Sequence, residues 1–122
     1  VCPCGSERAL AECCGRFLDD HQRPDTAEEL MRSRYTAYVL GRVLYLRESW
    51  HPRTRPRELA LEAGVTWRGL EVLSTSTRDA EHATVEFVAR YAQAGGEHAL
   101  HETSLFERRR GAWVYVAPVD AD

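Results

Sequence analysis

The chain has 122 residues, 43% of them hydrophobic and 29% charged, which is enough to bury one ordinary core. Its net charge of -3 argues against an electrostatic grip on nucleic acid, which calls for a basic excess. No apolar run approaches the roughly 20 residues of a membrane span. The opening Val1-Cys2-Pro3-Cys4 has neither region of a secretory signal, so the expectation is a soluble, cytoplasmic protein with no membrane partner. Lys is absent, which reads as codon bias, and the Arg clusters at 53–57 and 108–110 read as solvated faces.

Residues 1–16 hold all four cysteines and too few apolar residues to fold by burial alone. Their spacing is C-x-C, eight residues, then C-C, with Cys2, Cys4, Cys13 and Cys14 as the sulfurs. Four thiolates suit zinc and complete a closed tetrahedral site, with no open position for a catalytic water. Pro3 stiffens the first pair, Gly5 lets the backbone bend, and a helical turn within 7–12 returns Cys13 and Cys14 to the metal. Binding of that kind orders a segment that cannot order itself. Two disulfides fit less well in a reducing compartment, and adjacent cysteines bridge each other poorly. A redox pair would show C-x-x-C beside a βαβ unit, which is missing. The cofactor expected is therefore one structural Zn2+.

After the cysteines, Thr26 and Glu29 have capping-box spacing. Leu30, Met31, Tyr35, Tyr38 and Val39 follow at helical intervals, and Gly41 supplies a stop. A second helix is expected over about 43–49, closed by Pro52, and a short third over 57–63, closed by Gly64. The period then changes. A β-branched and aromatic run at 65–77 is followed by alternation of Ala83, Val85, Phe87, Ala89 and Tyr91 with Thr84, Glu86 and Arg90. Turns at 94–97 and 110–111 set off two more strands, 99–108 and 113–119. Four strands on short turns must pair antiparallel. The fold class is α+β, with a metal knuckle at 1–16 and, over 17–122, helices packed on one face of a curved four-stranded sheet.

Cys2-Pro3-Cys4-Gly5-Ser6 with Cys13-Cys14-Gly15 resembles the SEC-C motif, a zinc-binding segment also found on the SecA translocase. Leu30 to Tyr38, Tyr45-Leu46, Trp50-His51-Pro52, Val85 to Tyr91, His101 to Phe106 and Trp113 to Val116 resemble the YchJ-like family of SEC-C proteins. The resemblance implies a nuclear-transport-factor-2-like cone and supplies no activity. It also leaves iron open beside zinc. Two departures stand out: the usual motif has Gly where Glu7 stands and an aromatic where Leu10 stands. The usual basic residues are also reduced to Arg8, balanced by Glu7 and Glu12, which weakens docking of the knuckle to an acidic partner.

A cone of this type leaves a pocket at its wide end. The pocket residues expected are Arg34, Tyr35, Trp50, His51, Trp67, Arg90, Glu102 and Ser104. Glu102 shares strand parity with Leu100, Ser104 and Phe106, so it points inward and needs a partner. One reading pairs His51 with Glu102 as acid–base groups, as ketosteroid isomerase relatives do on this fold. The other, favoured, has Glu102 bonded to Arg34 or Arg90 and His51 capping a turn. No catalytic residue is assigned, and no phosphate loop, nucleophile elbow or catalytic zinc signature occurs. The function expected is a metal-stabilised binding module for a protein or small-molecule ligand; the alternative is a pocket enzyme of isomerase, dehydratase or hydrolase type.

Overall fold

Local sequence sets the first long element. The computed structural model describes residues 1–119. In it a 3-10 turn at Leu10–Glu12 and a short helix α1 (Gly15–Leu18) lead to α2 (Ala27–Leu40) and α3 (Val43–Glu48). The Thr26 side chain accepts the Glu29 N–H at 3.1 Å. Glu29 Oε1 reaches back to the N–H of Asp25 at 2.8 Å, one residue earlier than a capping box requires. At the far end Gly41 takes φ +74° and returns its N–H to the Ala37 carbonyl, the left-handed stop glycine makes without strain.

The four strands β1 (Thr66–Asp79), β2 (His82–Gln93), β3 (Gly96–Arg109) and β4 (Ala112–Pro118) form one antiparallel sheet in sequence order. Three register shifts on β1 against β2 and one between Leu105 and Phe106 are where the sheet bends. Helix α2 lies on the concave face, where Leu30, Met31 and Tyr35 pack on Val85, Phe87, Ala89 and Phe106. No helix among the described residues is long and apolar enough to cross a membrane.

The helix expected at 57–63 does not form; the segment is irregular. Leu59 and Leu61 both pack against the second hydrophobic cluster, which joins Leu18, Ala37 and Leu46 to the cysteines, and residues two apart can share a side in extended chain but not in a helix. A seven-residue helix also starts from a costly nucleus.

The second side of α2 meets the cysteines, so its polar residues are buried and all bonded. Ser33 donates to the Leu30 carbonyl at 2.7 Å and lies 2.6 Å from the Tyr45 hydroxyl. Thr36 Oγ1 is 3.7 Å from Cys2 Sγ. Because the Thr26 cap starts the helix that all of these depend on, Thr26→Ala should lower the unfolding free energy by about 1 kcal/mol in a urea titration.

Candidate metal centre and cone cavity

The first eight residues close into a loop when the Cys2 N–H bonds the Arg8 carbonyl at 2.7 Å. The turn at Leu10–Glu12 then brings Cys13 and Cys14 back. All four cysteines are buried and unbridged, with their sulfurs within 4.8 Å of one another. A tetrahedral site with metal–sulfur bonds of about 2.3 Å has sulfurs about 3.8 Å apart; Cys4 and Cys13 Sγ are 3.6 Å apart. The donor set therefore fits one soft metal ion, which Cys2, Cys4, Cys13 and Cys14 could hold. Gly15 has to be small: a Cβ there would stand 2.7 Å from the Leu10 carbonyl oxygen.

Negative charge on sulfur is supported from several directions. Hydrogen bonds from Cys14 and Ser6 lower the Cys4 thiol to about 4. Ser6 Oγ donates to Cys13 Sγ at 3.2 Å, and Arg8 Nη2 approaches the same sulfur at 3.7 Å. Arg32 donates to the Cys4 carbonyl at 2.7 Å from α2. Four thiolates around a divalent ion would carry two surplus negative charges, which Arg8 and Arg32 are placed to offset.

On the other side of α2 the sheet and helices enclose a cavity of about 270 Å³. Arg34, Tyr35, Trp50, Trp67, Glu102 and Ser104 line it, joined by apolar Met31, Phe87 and Ala89. Arg34 is only 4% exposed. Its Nη1 donates to the Leu46 carbonyl at 2.9 Å and Ser49 Oγ at 2.7 Å. The guanidinium lies 4.9 Å from the Trp50 ring centroid and 4.7 Å from that of Tyr115. Burial pushes it below the usual guanidinium range, while the Tyr38 and Tyr115 hydroxyls favour its charge. It forms no ion pair among the described residues.

Glu102 Oε2 accepts from Ser104 Oγ at 2.5 Å and from the Tyr115 hydroxyl at 3.5 Å. It pairs with neither Arg34 nor Arg90. Burial, then the nearby carboxylate, raises the Tyr115 hydroxyl well above its ordinary range, keeping it a donor. Tyr115 has the same strand parity as Trp113, a signal of inward placement available in the sequence.

Two residues expected in the pocket lie elsewhere. His51 Nε2 is 3.2 Å from Glu107 Oε2, and its Nδ1 accepts the Arg53 N–H at 3.0 Å. That fixes the proton on Nε2, facing Glu107 rather than Glu102, so the His51–Glu102 pair does not exist. The cause is a backbone clamp: His51 N–H donates to the Tyr115 carbonyl at 2.7 Å, and Tyr115 N–H to that of Ser49 at 2.8 Å. Arg90 is exposed on the opposite face of β2, 3.4 Å from Glu71.

Comparison with known proteins agrees with both halves of this geometry. Residues 26–118 match the family model described as YchJ, middle NTF2-like domain, and residues 1–16 match the SEC-C motif. A UPF0225 protein of Cupriavidus metallidurans is 52% identical, covering 94% of this chain and 85% of its own. Another, from Streptomyces coelicolor, is 50% identical over 93% and 90%. The solution structure of a SEC-C motif containing protein from Rhodopseudomonas palustris superposes with TM-score 0.90 at 35% identity, covering 99% and 98%. A crystal structure of a similarly described protein from Psychrobacter arcticus gives TM-score 0.79 at 29% identity, over 100% and 83%.

The departure at Glu7 has a visible cost. Its φ is +68°, in the left-handed region that costs a side chain about 1–2 kcal/mol and glycine nothing. Glu7→Gly should therefore raise the unfolding free energy of the metal-loaded protein, by about 1 kcal/mol after the added freedom of the unfolded chain is subtracted. An unchanged urea midpoint would mean that the loop does not hold this conformation.

Proposed function

The chain belongs to the family of SEC-C proteins with a YchJ-type, nuclear-transport-factor-2-like middle domain, and from that premise we propose that it is a metal-stabilised binding module. In this reading one structural zinc ion locks the knuckle against α2, and the cone takes up a small-molecule ligand in the cytoplasm. The observation that carries it is that one helix bears both features. Thr36 and Ala37 pack on the cysteine cluster, and Arg34 and Tyr35 line the cavity. Fixing one side of α2 fixes the other.

Zinc is taken as the ion because a closed tetrahedral set of four thiolates is a common structural zinc site. A small molecule is favoured over a protein partner docked at the knuckle. Arg8, the basic residue of that stretch, is already turned toward Cys13. The enzyme reading loses its acid–base pair, since His51 is held against Glu107.

Elemental analysis and native mass spectrometry of protein purified without chelator test this directly. About one zinc per chain is expected, and Cys4→Ser should abolish stoichiometric metal. Metal-free protein with four free or oxidised thiols would sink the proposal, and stoichiometric iron would replace zinc in it.

A further inference from the structure

The cavity holds a charge arrangement that selects a ligand. Arg34 is almost completely buried, yet no carboxylate pairs with it among the described residues, and only neutral acceptors, the Leu46 carbonyl and the Ser49 and Tyr38 hydroxyls, serve a group with five N–H donors. A buried cation is normally paired. Trp50 contributes its ring to the same wall, and the guanidinium keeps N–H donors to spare. Glu102 does not supply the missing anion, because Oε2 is engaged by Ser104 and Tyr115.

The remaining walls define the rest of the ligand. Tyr35, Phe87 and Trp67 offer flat apolar surface, and Tyr35 and Trp67 meet edge to face at 5.6 Å. At about 270 Å³ the space lies just below the range of about 300–1,000 Å³ that houses drug-sized ligands, so the occupant is small. Tyr38, Trp67 and Leu100 line both this cavity and a neighbouring groove of about 740 Å³, and Leu100 is exposed at the border between them.

Resting on the reading of the chain as a binding module, we propose that the cavity binds a small aromatic carboxylate carrying a hydrogen-bond donor. The carboxylate seats on the Arg34 guanidinium, the ring lies among Tyr35, Trp67 and Phe87, and the donor group serves Glu102. The two charged walls together make the preference. A simple anion would meet repulsion from Glu102, which a hydroxyl or amino donor on the ligand relieves.

Tryptophan fluorescence of the intact, metal-loaded protein reads occupancy, since Trp50 and Trp67 face the site. The probes are 4-hydroxybenzoate and its uncharged counterpart 4-hydroxybenzamide. Saturable quenching by 4-hydroxybenzoate is expected, with the amide weaker by at least about tenfold, the discrimination of one charged hydrogen bond. Arg34→Met should remove that preference. Because a change at a buried residue can unfold the chain, Leu100→Trp at the exposed mouth provides the second variant, expected to weaken 4-hydroxybenzoate by a similar factor with the fold intact. Equal affinity for acid and amide overturns the carboxylate assignment and leaves the binding module standing. No saturable quenching by either probe overturns the carboxylate assignment too. If protein with full metal content also carries no small molecule in native mass spectrometry, the small-ligand reading falls with it.

Discussion

Helix α2 is buried from two directions, and the rest of the molecule is arranged to permit that. A helix on a sheet ordinarily keeps one face in water. Here Ser33, Arg34 and Thr36 are all sealed in, and each such group left without a partner would cost about 1–3 kcal/mol. Besides the Leu30 carbonyl that takes the Ser33 hydroxyl, partners come from outside the helix: Tyr45, Leu46 and Ser49 on and after α3, and the Cys2 sulfur. The knuckle is thus the second wall of the helix that roofs the cone. A segment of 16 residues has too little apolar surface to serve as that wall unaided, which gives a closed four-sulfur metal site its structural purpose.

On the cavity side the same helix presents Arg34. Its charge rests on neutral hydrogen-bond partners and two aromatic faces, an arrangement that tolerates an exchangeable anion better than a fixed salt bridge would. The protein places its carboxylate, Glu102, where Ser104 and Tyr115 satisfy it instead. The two charges are thus kept from pairing with each other.

Much of this was legible in the sequence because it is local. The Thr26 cap, the Gly41 stop, the alternation along 83–91 and the short turns fix helix and strand positions within a few residues, and the antiparallel order follows. The cysteine spacing indicated the metal site. What escaped depends on non-local contacts. Leu59 and Leu61 are extended, both packed on the hydrophobic cluster of Leu18, Ala37, Leu46 and the cysteines. His51 is turned to Glu107 by a clamp to Tyr115, more than sixty residues away in the chain. Arg90 is a different case: its alternation with Ala89 and Tyr91 already pointed it out of the cone. Glu7 took a left-handed turn that its side chain disfavours, as the glycine of the usual motif foretold.

The central claim is that the metal site braces α2. Amide hydrogen exchange, followed on the metal-loaded protein and again after removal of the metal by a chelator, measures it most directly. Protection over Ala27–Leu40 should fall sharply on chelation while the paired interior of β2 and β3 stays protected. Unchanged protection of α2 in protein shown to have lost its metal would contradict the account.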